Sequence, residues 1–319
     1  MNCSKAERLF LGVADDNNSA TAILGDSQGR VIARRVGGSV NYIRYGVPQA
    51  RRNLEELVRA SLGSRTPRVL DTVCFTYQCH QILDAHHLNC LIHGLFEGTN
   101  IAVSDFRSAS ILGLPQSRAQ MLVIGGDTSY VFFRCPSGLR YEFRCPFSSW
   151  DIAIRTWKKI RQNPYAYGSG DLQEIFLDSS IALYNGRSSA IAQHINELAE
   201  MGNPIALEIL CDAADDLIHS ILRVVRYMDV LDPFIGLCGP ILLGSEIIHN
   251  RVQRVIQLLL PQAEIMIAPH APAKGAYLSS LKARRFRVNS EIIQNMFLTS
   301  RRLSLEGSRD YAAAVSYNG

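Results

Sequence analysis

A polar turn near the N-terminus carries side chains that can do chemistry. The apolar run Leu9–Ala14 leads into it and Ala22–Leu24 leads out, which predicts strand, tight turn, strand. Asp15 ends the first strand, where a carboxylate can hold a hydrated Mg²⁺. Three later residues can offer hydroxyl, amide and backbone N–H groups to phosphate oxygens: Asn18, Ser19 and Thr21. A polar hairpin, in which Asp15 bonds its own backbone, explains the same residues, so the rest of the chain must decide.

The elements that follow predict two mixed α/β units in the same order. In the first unit we predict three strands, a helix opened by Pro48, a strand, a helical segment and a fifth strand that ends at Asp105. A strand at Met121–Ile124 restarts the pattern with a hairpin behind it. The later predicted segments are helices at about 149–162, 171–184 and 188–201, a long helix from Asn203-Pro204, strands Phe234–Cys238 and Glu264–Ala268, a helix at about 245–259 and a helix at Gly275-Ala276.

Length and composition limit the class of protein. The chain has 319 residues, enough for two domains, and its 47% hydrophobic and 19% charged content is typical of a soluble globular protein. A net charge of +4 does not call for nucleic acid or an anionic membrane. We find no apolar signal core at the N-terminus and no apolar run of bilayer length. The eight scattered cysteines fit reduced thiols, so we expect a cytoplasmic protein.

The motifs and their order resemble a known family. The turn Asp15-Asp16-Asn17-Asn18-Ser19-Ala20-Thr21 matches four of the seven residues in a common family loop, Asp-Gly-Gly-Asn-Ser-Lys-Thr. Further segments resemble the family's motifs in the same order: Gly38-Ser39-Val40-Asn41, Ser104-Asp105-Phe106, Gly126-Asp127-Thr128-Ser129, Gly202-Asn203, Gly239-Pro240 and Gly275-Ala276. Over roughly residues 8–283 the chain resembles the acetate kinase–sugar kinase–Hsp70–actin superfamily. Within it, the similarity is to the BadF/BadG/BcrA/BcrD ATPase and N-acetylglucosamine kinase group.

This resemblance implies an α/β fold of two RNase H-like lobes, of the actin and hexokinase type, with a cleft between them. The lobes would span residues 1–117 and 118–283, and residues 284–319 would form a C-terminal helix and tail. The resemblance also implies ATP and Mg²⁺ as cofactors, a small hydroxyl compound such as an amino sugar as substrate, and a homodimer.

Residue roles follow from the same resemblance. Asp15 would organise Mg²⁺, Asp105 would be the catalytic base beside the substrate, and Asn41 would contact the sugar. The nucleotide-binding residues would be Asn18, Ser19, Thr21, Gly126, Thr128, Ser129 and Gly239. From the residues alone, Asp105 is equally explained as the N-cap of a following helix, since Asp is a favoured cap.

Departures from the family leave two functions open. Asp16 and Asn17 replace loop glycines, Ala20 replaces the loop lysine, and Asp127 is added to the second loop. A carboxylate about 4 Å from a phosphate oxygen costs roughly 4 kcal/mol at an effective dielectric near 20, unless it joins the metal shell or points away. The first function is an ATP-dependent small-molecule kinase or ATPase. The alternative is a catalytically degenerate protein of the same fold that binds a ligand or a partner.

Overall fold

The computed structural model describes residues 8–16, 19–77, 85–115, 120–126, 128–134, 140–165, 170, 172–173 and 188–316, with side chains in the last helix described as far as Leu303. The strands are β1 Leu9–Asp15, β2 Ser19–Asp26, β3 Val31–Gly38, β4 Leu70–Tyr77, β5 Asn100–Asp105, β6 Gln120–Ile124, β7 Ser129–Arg134, β8 Arg140–Cys145, β9 Phe234–Cys238 and β10 Glu264–Ile267. The α-helices are α1 Tyr42–Tyr45, α2 Val47–Leu62, α3 Ala85–Ile92, α4 Phe106–Leu112, α5 Ser149–Gln162, α6 Ser188–Glu200, α7 Pro204–Met228, α8 Pro240–Gly244, α9 Glu246–Leu259, α10 Ala271–Ala283 and α11 Ser290–Ser316.

The chain folds as two compact units, one made of Met1–Gln116 with His270–Gly319 and the other of Ser117–Pro269. The first unit holds a five-stranded sheet in the order β3-β2-β1-β4-β5. The first three strands are antiparallel neighbours, whereas β1, β4 and β5 run parallel. Since parallel strands share one carboxyl edge, the ends of β1, β4 and β5 meet there.

Helices cover both faces of the first sheet. On one face Leu11, Val13 and Phe75 pack with the apolar side of α2. That helix carries Pro48 in its first turn and ends at Gly63, as the sequence predicts. On the other face Phe10 packs with residues of α10 and α11: Tyr277, Leu278, Leu281, Ile292, Ile293 and Met296.

Helix α10 belongs to the first unit, whereas the sequence analysis assigned residues 270–283 to the second lobe. Gly12 allows this packing, since a Cβ there would lie 2.1 Å from the backbone nitrogen of Tyr277. Gly275 plays the same part against α4, because its Cβ would lie 1.5 Å from the carbonyl oxygen of Ala109. The chain therefore returns to the first sheet after β10, through close backbone contacts between residues far apart in sequence.

The second unit repeats the connectivity of the first. Its sheet runs β10-β9-β6-β7-β8, with β6, β7 and β8 antiparallel and β6, β9 and β10 parallel. Helix α7 begins as predicted at Asn203, whose Oδ1 accepts from the backbone N–H groups of Ile205 and Ala206. Its buried stripe includes Ile209, Ala213, Leu217, Ile221 and Val224. The predicted helix at 171–184 lies almost wholly outside the described residues.

Within the described part of the chain, no helix combines the length and apolarity that crossing a bilayer would take. The described cysteines are free thiols: Cys74, Cys90, Cys145, Cys211 and Cys238. Burial raises the pKa of the Cys74 thiol to about 12 and that of Cys145 to about 11, which keeps both protonated near neutral pH.

Candidate functional site

Three polar side chains form a row at the carboxyl edge of the first sheet. Asp15 of β1 is in register with Tyr77 of β4, and Tyr77 is in register with Asp105 of β5. The side chains share one face, because Asp15 follows the core residue Val13 by two positions and Tyr77 follows Phe75 by two. Two strand spacings separate the Asp15 and Asp105 backbones, about 10 Å. Both aspartates were predicted as site residues, whereas Tyr77 was not, since the register between parallel strands is not visible in a local sequence pattern.

Asp15 is a fully buried carboxylate that holds the following loop in place. Its Oδ2 accepts from the Ser39 hydroxyl at 2.8 Å and from the Val40 backbone N–H at 2.6 Å. Bonds of this kind stabilise the charged form of a buried acid. Asn53 fixes the same loop from α2, because its Nδ2 donates to the Ser39 carbonyl at 2.6 Å. Ser39 lies in one of the motifs that resemble the family, but its bond to Asp15 has no signal in the local sequence.

Asp105 caps helix α4, which was the alternative left open by the sequence. Its Oδ2 accepts from the Ser108 backbone N–H at 2.8 Å. The residue is exposed, and its Oδ1 has no hydrogen-bond partner among the described residues. One carboxylate oxygen therefore fixes the side chain while the other can accept a proton.

Asn41 is buried at the start of the short helix α1. Its Oδ1 accepts from the backbone N–H groups of Ile43 at 3.0 Å and Arg44 at 3.2 Å. This oxygen is committed to capping α1, and the role of Asn41 as a sugar ligand stays a prediction. Next to it, the ring of Tyr42 stacks on that of His87, with centroids 5.0 Å apart and planes 3° apart.

Asp16 closes the first turn on itself. Its Oδ1 accepts from the Ser19 backbone N–H at 2.8 Å and from the Ser19 hydroxyl at 3.3 Å. The donors that the resemblance assigns to phosphate thus already hold an anionic oxygen. Ala20, which replaces the family's lysine, is fully buried in the core. Asn17 and Asn18 lie outside the described residues.

Thr21 lies inside β2, opposite Ala14 of β1. It precedes Ile23 by two positions, and Ile23 packs on the sheet face that carries α10. Asp15 faces the other side, so the structure does not bring Thr21 into the row. Its nucleotide-binding role stays a prediction.

The second predicted phosphate loop is also bonded internally. The Gly126 backbone N–H donates to the buried Ser129 hydroxyl at 3.2 Å, and the Gly126 carbonyl accepts from the Ser149 N–H at 3.0 Å. Thr128 is half-buried, and Asp127 lies outside the described residues. As in the first turn, a backbone donor already holds a side-chain oxygen.

The backbone conformation and the close contacts of Gly239 require glycine at this position. It follows β9 with φ of +97°, and a Cβ there would lie 2.3 Å from the Gly125 carbonyl oxygen. The ends of β6 and β9 therefore meet at two glycines, and the Gly125 N–H donates to the carbonyl of Cys238, the residue before Gly239. The predicted contact of Gly239 with adenosine stays a prediction.

The N–H and hydroxyl groups of Ser19 are the kinds of donor that bind phosphate oxygens. The Asp16 carboxylate shows that the first turn accommodates an anionic oxygen on Ser19, and a phosphate oxygen would have to displace it. Proteins often bind Mg²⁺ through one or two carboxylates while water and phosphate supply the other ligands. Asp15 can provide such a carboxylate. No group of three or more His, Cys, Asp or Glu side chains that could hold a metal occurs among the described residues.

Comparison with known proteins gives the fold. No protein-family model and no curated protein matches the chain. A proposed N-acetylglucosamine kinase from Porphyromonas gingivalis matches with a TM-score of 0.62 at 12% identity, over 86% of this chain and 99% of that one. A ROK family glucokinase from Streptomyces griseus, solved with glucose and AMPPNP, matches with a TM-score of 0.58 at 13% identity, over 86% and 99%.

A ROK family transcriptional regulator also shares the fold, with a TM-score of 0.51 at 13% identity over 92% of this chain and 80% of that one. The predicted α/β class is confirmed, because the chain has two mixed five-stranded sheets with helices and matches the fold of solved sugar kinases. The narrower resemblance to the BadF group stays a prediction.

Proposed function

We propose that the chain is a small-molecule kinase that transfers a phosphoryl group to a hydroxyl of an amino sugar or a similar compound. The observation that carries the proposal is the row Asp15–Tyr77–Asp105 at the carboxyl edge of a parallel sheet, in a fold that sugar kinases share. Open α/β sheets bind their ligands at this edge. Mg-ATP would supply the phosphoryl group when bound.

In this proposal Asp105 is the general base. Its bond to the Ser108 N–H holds the side chain, and its Oδ1 accepts the proton of the substrate hydroxyl. Asp15 would hold the Mg²⁺ ion in position through its carboxylate, which the bonds to Ser39 and Val40 keep in place. By resemblance, Asn18, Ser19, Gly126, Thr128 and Ser129 bind phosphate oxygens.

The test is ADP release in a coupled assay with Mg-ATP and a panel of sugars, comparing the wild type with Asp105→Asn. Asparagine caps a helix as well as aspartate does, so the variant keeps α4 and loses only the base. We expect turnover to fall by about 10²- to 10⁴-fold. Sugar-dependent turnover that is equal in the variant would refute Asp105 as the base, and its absence in the wild type would refute the kinase.

A second function has a specific observation in its favour. Because Asp16 occupies both the N–H and the hydroxyl of Ser19, a protein that binds sugar without using nucleotide would need no change in this turn. Saturable sugar binding without turnover would favour this degenerate binding module. The ROK transcriptional regulator has a similar fold, so the fold is not confined to enzymes. A homodimer in the cytoplasm remains our expectation for either function.

A further inference from the structure

Tyr77 is a half-buried residue whose hydroxyl group the proposed roles leave unused. Its hydroxyl is shielded from solvent and has no hydrogen-bond partner among the described residues. Buried hydroxyls are normally bonded, and one left unmatched destabilises the protein. Tyr277, which is buried, shows the usual case, because its hydroxyl donates to the Asp26 carbonyl.

Tyr77 has acidic neighbours along the edge of the sheet and an aromatic neighbour on its own strand. Its backbone lies between those of Asp15 and Asp105 in strand register. The ring stacks on Phe75 of the core, with centroids 6.3 Å apart. The core thus fixes the ring while the residue ends the strand, beside the two carboxylates assigned to the reaction.

The Tyr77 hydroxyl is a donor at neutral pH. A phenol ordinarily loses its proton only at about pH 10, so the oxygen carries its hydrogen at neutral pH. The Asp15 carboxylate is itself bonded to Ser39 and Val40 and makes no hydrogen bond to Tyr77. The O–H group therefore lacks an acceptor within the described protein.

The neighbouring charges favour a neutral acceptor. A phosphate oxygen on the Tyr77 hydroxyl would be repelled by the carboxylate of Asp15 on the neighbouring strand, whereas a sugar hydroxyl can accept from the phenol without that repulsion. The stacked rings of Tyr42 and His87 add aromatic surface beside the loop that Asp15 holds. Few polar groups among aromatic side chains are typical of small-molecule sites.

We infer that Tyr77 recognises the substrate, donating its O–H to a hydroxyl oxygen of a bound sugar. The inference rests on the proposed function for the class of ligand, and it requires binding but not phosphoryl transfer. Phenylalanine at this position would preserve the ring and its contact with Phe75 and remove only the donor.

The experiment measures melting temperature and sugar affinity for Tyr77→Phe and Tyr277→Phe beside the wild type. The sugars are glucose, glucosamine and N-acetylglucosamine, with Mg-ATP as a separate arm. We expect Tyr77→Phe to melt no lower than the wild type without ligand, since it removes an unmatched buried hydroxyl, and to bind the preferred sugar about tenfold more weakly. Tyr277→Phe should melt about 2–4 °C lower and keep its affinity per folded molecule.

Three results would overturn the inference. In the first, Tyr77→Phe melts lower in the absence of ligand, which would mean that the hydroxyl has a partner within the protein. In the second, sugar affinity is unchanged, or only the Mg-ATP affinity falls. In the third, no sugar of the panel binds the wild type. Sugar binding that depends on Tyr77 without phosphate transfer would instead support the inference and refute the kinase.

Discussion

Replacing Asp16 by asparagine should tighten nucleotide binding. The Asp16 Oδ1 lies 2.8 Å from the Ser19 nitrogen, at the distance of an ordinary hydrogen bond, so a phosphate oxygen that takes this N–H must displace the carboxylate. Once displaced, the carboxylate remains on the adjacent backbone, about 4 Å from the phosphate, where repulsion costs about 1 kcal/mol in water and about 4 kcal/mol at an effective dielectric of 20. Asparagine can still accept from Ser19 but carries no charge.

The expected gain in Mg-ATP affinity follows from these limits. It is about fivefold if water screens the charge fully and about a thousandfold if it does not. Titration calorimetry of Asp16→Asn and the wild type at one ionic strength measures the difference. Asp26→Asn is the matched control, because the Asp26 carboxylate also accepts from backbone N–H groups, those of Gln28 and Arg30, in a turn at the other end of β2.

Unchanged or weaker Mg-ATP binding in Asp16→Asn would refute this reasoning. Weaker binding in particular would mean that the Asp16 carboxylate joins the metal shell. An equal gain in the Asp26→Asn control would show that only the change in net charge mattered.

Two further predictions concern stability. Gly239→Ala should destabilise the protein by about 2–4 kcal/mol, because alanine is strained at positive φ and its Cβ would clash with the Gly125 carbonyl. Denaturant unfolding measures this loss, with Gly244→Ala as the control, since a Cβ at Gly244 meets nothing within 4 Å. Equal losses of stability in the two variants would contradict the explanation. Burial, with the charges of Arg34 and Lys274, lowers the pKa of His270 to about 4. The unfolded chain then binds more protons between about pH 6.5 and 4, so stability should fall as pH falls through that range. His270→Gln should lose part of this slope in melting temperature, and an identical slope would count against the buried neutral imidazole.

Local signals predicted most elements because their causes are local. Asn203-Pro204 begins a helix through a side-chain cap and a pre-set φ, and both act within one turn. Pro48 and Gly63 delimit α2 for similar reasons. The predicted pattern of three antiparallel strands followed by two later strands is present in both sheets, although their order within each sheet was not predicted.

Long-range contacts explain what the sequence could not predict. Helix α10 can approach β1 closely at Gly12 and α4 closely at Gly275, because neither glycine has a side chain. The sequence does not indicate which residue each glycine will contact. Likewise, the row at the carboxyl edge depends on strand register, so no role for Tyr77 was predicted from the sequence. The bond from Ser39 to Asp15 joins residues 24 positions apart. For Asp105 the sequence also offered a local role, the N-cap of the following helix, and the structure shows this cap.

The most direct test of the account is detection of a phosphorylated sugar by ³¹P NMR after incubation with Mg-ATP. The wild type should give a sugar phosphate resonance, Asp105→Asn should form the product at least about 100-fold more slowly, and Asp16→Asn should form it faster at limiting ATP. A wild-type reaction that yields no sugar phosphate, although sugar binds, would contradict it and leave a sugar-binding protein with the fold of a kinase.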